Sequence, residues 1–185
     1  MIHAGRKPSD PQPRAVHGLI FSESSYRIDF SRSTQHISCH DPQIWRDTGK
    51  LPKGIHAASW GEVEKSLGFN ARRKELLAGL LAACHALKAA GVRFVYIDGS
   101  FATKKANPGD WDACYETANV NPDNLDPVFL DFSNERAAQK AKYKGEIFPA
   151  DFDATGLGEP YLSFFQHTKD NKPKGIVALD LGTLP

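Results

Sequence analysis

The sequence predicts an α/β (α+β) domain, a mixed β-sheet flanked by helices, preceded by an N-terminal extension. Three observations carry this. "NARRKELLAGLLAACHALKAAG" (70–91) places Leu76, Leu77, Leu80, Leu81, Cys84 and Leu87 on one stripe of a long helix. Directly after it, "VRFVYID" and "WDACYE" read as two strands joined by a turn. Nearer the C-terminus a helix-forming stretch alternates with short apolar runs and ends in "KGIVALDL", a final strand. The boundary falls near residue 50, giving an extension over 1–50 and a domain over 51–185.

Taken in order, residues 1 to about 15 combine three prolines with charges and almost no large apolar residues, so they bury too little to offset their ordering entropy. "HGLIFSESSYRIDFSR" (17–32) offers a hairpin. Ser59 and Glu62 have capping-box spacing, with Val63 and Leu67 on one face of a short helix ending at Gly68. Asn70 can cap the long helix and Gly91 can end it. "NPDNLDPVFLDF" mixes turn residues with an apolar run and is equally compatible with strand and helix. "SNERAAQKAKYKG" is a helix capped by Ser133 or Asn134, "GEIFPADF" a short strand stopped by Pro149, and "PYLSFFQH" a helical turn.

Composition narrows the function. A chain of 185 residues fits one domain with an appendage, and a domain of this size buries about 70% of its unfolded surface. A net charge of +1 gives no field for general nucleic-acid binding. Cys39, Cys84 and Cys114 lack CxxC spacing, which argues against a disulfide scaffold or zinc ribbon and for a reducing compartment. No apolar stretch reaches the ~18 residues of a membrane span, and the N-terminus has no signal-like apolar region. The expectation is a soluble, cytoplasmic protein with no membrane partner.

The chemistry concentrates in "YIDGSFATKKANPGDWDACY" (96–115). Residues i and i+2 of a strand share a face, so Asp110 and Asp112 would lie roughly 7 Å apart at their backbones. Two such carboxylates need a cation, a proton or screening water between them, and an oxygen-rich pair suits Mg²⁺ or Mn²⁺. Upstream, Gly99 and Ser100 leave an apolar strand in a turn that can aim backbone N–H groups and a hydroxyl at an anion. An Asp-x-Asp after Pro-Gly is also a common solvated turn, and Gly-Ser a common loop pair; their combination points to a seat for a metal-bound triphosphate.

"DGSFATKKANPGDWD" resembles the signature of the nucleotidyltransferase superfamily that includes DNA polymerase β and the minimal nucleotidyltransferases. From about Leu51 to the C-terminus the chain is similar to small bacterial and phage nucleotidyltransferase-like proteins; residues 1–50 fall outside the resemblance, as an extension of this chain or the product of an upstream start. The resemblance implies a nucleotidyltransferase-like mixed sheet, with Gly99 and Ser100 as the phosphate-binding pair and Asp110 and Asp112 as metal ligands. By context Glu146 is the third acid, completing the metal site and drawing a proton from the attacking hydroxyl, ahead of its rivals Asp151 and Asp153. Lys105, before Lys104, would offset phosphate charge; Arg136 and Lys140 share a face at i,i+4 spacing. The pattern departs in having Ala102 where many members carry arginine, Glu where Asp is commoner, and no second domain.

The function so implied is a metal-dependent transfer of a nucleotide from a nucleoside triphosphate to a hydroxyl of RNA, protein or a small molecule, with Mg²⁺ or Mn²⁺ as cofactor. The alternative is a non-catalytic nucleotide- or partner-binding module, as one half of a toxin–antitoxin or phage-defence pair. Other features carry less. "HISCH" (36–40) lacks a second pair with zinc spacing, Phe164 and Phe165 read as core, and the echo of "PKGI" at 52–55 and 173–176 is too short for a repeat.

Overall fold

The computed structural model describes residues 49–185; the hairpin expected over 17–32 and the "HISCH" segment lie outside the described residues. Five strands form one mixed sheet: β1 (Gly54–Ala58), β2 (Phe94–Asp98), β3 (Trp111–Tyr115), β4 (Gly145–Pro149) and β5 (Gly175–Asp180), in the order β1-β5-β2-β3-β4. β1 and β5 run parallel, as do β3 and β4, while β2 is antiparallel to both its neighbours. The mixed α+β architecture expected from the sequence is therefore present.

Four helices accompany the sheet. Helix α1 (Trp60–Leu67) begins with the anticipated capping box, in which the Ser59 hydroxyl accepts from the Glu62 amide and Glu62 accepts from the Ser59 amide. Helix α2 (Ala71–Ala89) is capped by Asn70, whose side chain accepts from the Arg73 amide. Helix α3 spans Ser133–Tyr143, and α4 is the single turn Tyr161–Phe164. Val63 and Leu67 of α1, the leucine stripe of α2 and Tyr143 of α3 pack with Val95, Ile97, Ala113, Ile147, Val177 and Leu179 into the main core. Alternation sends Phe94, Tyr96, Cys114, Phe148, Ile176 and Ala178 to the opposite face, where Phe165 and, more loosely, Tyr161 cover them.

Three local results depart from the sequence expectation. β1 was not anticipated, because "GIHAA" holds a single β-branched residue; its pairing with β5, 121 positions away, makes it a strand. The two "PKGI" segments lie side by side there, with Gly54 opposite Gly175 and Ile55 opposite Ile176. The ambiguous 121–132 stretch is neither strand nor α-helix but two 3₁₀ turns, Pro122–Asn124 and Pro127–Leu130, each opened by an Asx cap before proline. Neither Ser133 nor Asn134 caps α3. Asp131 instead accepts from the Ser133 amide, and the next three residues are left-handed.

Candidate active site

β2 ends at Asp98, and the chain turns through Gly99 at φ 70° into a short 3₁₀ turn, Ser100–Ala102. A Cβ at Gly99 would overlap the Asp112 carboxylate, so glycine satisfies both the positive φ and the approach of the acid. The loop beyond is fixed by two adjacent arginines at the start of α2. Arg73, fully buried, donates to the carbonyls of Leu67, Phe101, Thr103 and Lys105. Arg72 donates to the carbonyls of Pro108 and Gly109. The twelve residues between Asp98 and Trp111 are thereby tied down as an arm between the turn and the acids.

The register of the next strands is set by bulk. Trp111 opposes Gly145, whose missing side chain makes room for the indole, and the indole N–H donates to Tyr143 O at 2.9 Å. One residue further, Asp112 opposes Glu146 on β4 and Asp98 on β2. Alternation turns all three carboxylates to the same face as Tyr96, Cys114 and Phe148. They form one row across three strands.

The row crowds its carboxylates together. Burial, together with Asp110, Glu146 and Asp98, pushes the Asp112 carboxyl up to about 7. Burial also pushes Asp98 up, against the pull of Lys174, whose ammonium pairs with it. Glu146 accepts from Arg136 Nε at 2.6 Å and lies 3.1 Å from Lys140 Nζ, which also reaches Asp110 at 3.6 Å. At the Asp98 end of the row, away from Asp112 and Glu146, opens a cleft of about 270 Å³ whose polar lining includes Asp98, Lys50, Ser100, Thr103, Thr168, Lys169 and Lys174.

The sequence-derived residues distribute unevenly around this geometry. Gly99 and Ser100 line the cleft, and Asp112 and Glu146 are register partners. Asp110 stands just ahead of β3 rather than within it, half-exposed, and meets the row through Lys140. Lys105 is exposed on the arm, away from the cleft lining. Asp151 and Asp153 are exposed, and Asp153 is engaged by the amides of Thr155, Gly156 and Gly158.

Sequence reasoning missed Asp98 and Lys174. Asp98 had a signal, since the antiparallel pairing of two strands around the Gly-Ser turn puts the last residue of the first opposite the second acid of the other. Lys174 had none, because its position depends on β5 pairing with β2 across 76 residues.

The donor set is chemically suited to a hard divalent cation, being made of carboxylate oxygens, and the high proton affinity of Asp112 marks the charge such a cation would neutralise. Asp112, Glu146 and Asp110 would be the residues to hold it. As the side chains stand, Arg136 and Lys140 occupy Glu146, and among the described residues no group of three His, Cys, Asp or Glu side chains is gathered closely enough to bind a metal. Among the described residues, no helix is long and apolar enough to cross a membrane.

Comparison with known proteins gives one match. A family model described as a family of unknown function, DUF6932, covers residues 43–180. No curated protein and no solved structure matches.

Proposed function

We propose that this chain, which belongs to the DUF6932 family, is a metal-dependent nucleotidyltransferase using a nucleoside triphosphate and a hydroxyl acceptor on RNA, protein or a small molecule. The observation that carries this reading is the register row Asp98–Asp112–Glu146 lying beside a cleft that contains the Gly99–Ser100 turn and three lysines. Mg²⁺ or Mn²⁺ held by Asp110, Asp112 and Glu146 would neutralise these carboxylates and the charge of a bound triphosphate.

The chain's own groups do the rest. Ser100, Lys50, Lys169 and Lys174 grip the β- and γ-phosphates, and the rigid arm behind Gly99 keeps the turn from yielding as charge develops. The acceptor oxygen bonds to the α-phosphorus, the bond from that phosphorus to the bridging oxygen breaks, and pyrophosphate leaves. The acceptor's proton passes to Glu146, and positioning supplies most of the acceleration.

One observation favours a second reading. Arg136 and Lys140 already neutralise Glu146, which is what a non-catalytic nucleotide- or partner-binding module, such as half of a toxin–antitoxin pair, would require.

Asp110→Asn separates the two. Asp110 is half-exposed, so its loss of charge leaves the fold intact. The enzyme reading expects Mg²⁺- or Mn²⁺-dependent binding of a labelled triphosphate, and release of pyrophosphate with cell extract, to fall at least about tenfold in the variant. Triphosphate binding that ignores both the metal and the substitution sinks it in favour of the module.

A further inference from the structure

Three chain segments converge on the cleft. The Lys104 amide donates to Gly49 O at 3.1 Å and the Gly175 amide to Leu51 O at 3.2 Å, so residues 49–54, 100–105 and 166–175 are held side by side. The last of these turns back through Asn171 at φ 56°, with the Thr168 amide donating to Lys172 O at 2.8 Å. Together the segments carry Lys50, Lys53, Lys104, Lys105, Lys169, Lys172 and Lys174, against Asp98 beside them and Asp170 within them. The rest of a chain with 23 basic and 22 acidic residues is therefore net negative, and the formal charge of +1 conceals a basic rim.

The "PKGI" echo contributes to this rim. Parallel pairing aligns Gly54 with Gly175, which places Lys53 and Lys174 one step earlier on adjacent chains. Like charges set side by side repel. Lys174 is tied to Asp98, whereas Lys53, Lys104, Lys105, Lys169 and Lys172 are exposed and, among the described residues, have no carboxylate within ion-pair distance. The lysines of α3 differ, since Lys140 and Lys142 are both paired.

We propose that the rim binds the phosphate backbone of a nucleic-acid strand that runs past the cleft. Lys50, Lys169 and Lys174 line the cleft, while Lys53, Lys104, Lys105 and Lys172 lie outside its lining. A triphosphate seated in about 270 Å³ leaves those four unused, so the ligand that uses them repeats its charge along a chain. The three segments hold no arginine, and lysines with the Ser100, Thr103 and Thr168 hydroxyls suit phosphate oxygens; the carboxylates of an acidic protein are matched better by arginine forks. An anionic membrane calls for an apolar anchor beside the charges, and the exposed Phe69, Leu157 and Phe164 are on none of the three segments. That the strand carries the acceptor hydroxyl rests on the transferase reading above. Its binding to the rim does not, and it needs no metal.

The probe is a fluorescein-labelled, unstructured single-stranded RNA of about 20 nucleotides, read by anisotropy on the full chain without divalent metal. The logarithm of its binding constant should fall against the logarithm of salt concentration with a slope of about −4, from the six lysines not already tied to a carboxylate. Lys53→Gln, Lys104→Gln, Lys105→Gln and Lys172→Gln made together should weaken binding at least about tenfold at ~0.1 M salt and make the slope shallower by about 3. Inorganic triphosphate should bind this variant within about twofold of the wild type, because the four lysines lie outside the cleft lining. Lys65→Gln, Lys88→Gln, Arg93→Gln and Lys144→Gln remove the same charge from exposed positions elsewhere and should change RNA binding less than about threefold. Equal losses in the two quadruple variants overturn the proposal, as does an RNA affinity that ignores the rim or is absent. Phosphatidylserine vesicles or polyglutamate binding as tightly as the RNA overturn it too. RNA binding that follows the rim in a chain that takes no triphosphate upholds it and sinks the transferase reading alone.

Discussion

Two arginines near the site are held in opposite ways. Arg73 is fully buried with no carboxylate partner among the described residues; backbone carbonyls from Leu67 to Lys105 accept its protons, and the Phe69 and Phe101 rings flank its guanidinium at 4.5 and 5.0 Å. Burial lowers it to about 10, still well above neutral pH. Arg136 is partly exposed, paired with Glu146, and sits on a left-handed turn. A charge satisfied by fixed carbonyls belongs to the frame, because nothing mobile can replace it. A charge satisfied by one carboxylate among several can be exchanged for another cation.

The largest effect expected from this contrast is on stability. Arg73→Met leaves buried carbonyls of Phe101 and its neighbours without donors and frees the arm that carries the acids. It should cost about 3 kcal/mol in urea unfolding. Arg136→Met should cost less than about 1 kcal/mol, since its ion pair is partly exposed and its turn is strained. Equal costs at the two positions would erase the distinction between frame and exchangeable charge.

Next in size is the pH dependence of Asp112. Its folded carboxyl titrates at about 7, above its ordinary value of 3.8, so its contribution favours folding fully below pH 4 and is lost as pH rises through 7. Asp112→Asn removes that loss. Without added metal, the melting temperature of the variant should exceed the wild type by about 3–6 °C at pH 8, with the gap closing towards pH 4. A gap that widens on acidification would mean that Asp112 is stabilised as an anion and that the row is frame as well.

How much of this was legible depended on how local each cause was. The caps at Ser59 and Asn70 and the stripe of α2 are set within one or two turns of chain, and the structure adopts them. The acid pair and the Gly-Ser turn were visible as types and spacing, but their relation required the antiparallel register that brings Asp98 opposite Asp112. β1 depends on parallel pairing with β5 across 121 positions and left only the "PKGI" echo, while Lys174 depends on the antiparallel pairing of β5 with β2 and left no signal. The left-handed turn at 134–136 opposes its own propensity, so local reading there gave a helix cap that the structure does not adopt.

The smallest effect concerns which lysine serves the cleft. Lys105 was the sequence's choice because it lies between turn and acids, yet Arg73 takes its backbone carbonyl and the side chain is exposed on the arm. Lys174 enters the cleft from just ahead of β5 and is tied to Asp98, so it belongs with Arg136 among the exchangeable charges. On the proposed reading a phosphate arriving in the cleft would take Lys174 from Asp98, a carboxyl whose proton affinity burial already raises. Lys174→Met should therefore weaken binding of inorganic triphosphate by about tenfold, with the loss shrinking in high salt. Lys105→Met should leave it within about twofold. The reverse ranking in isothermal titration would return the phosphate seat to the arm and make the Lys174–Asp98 pair a fixed strut.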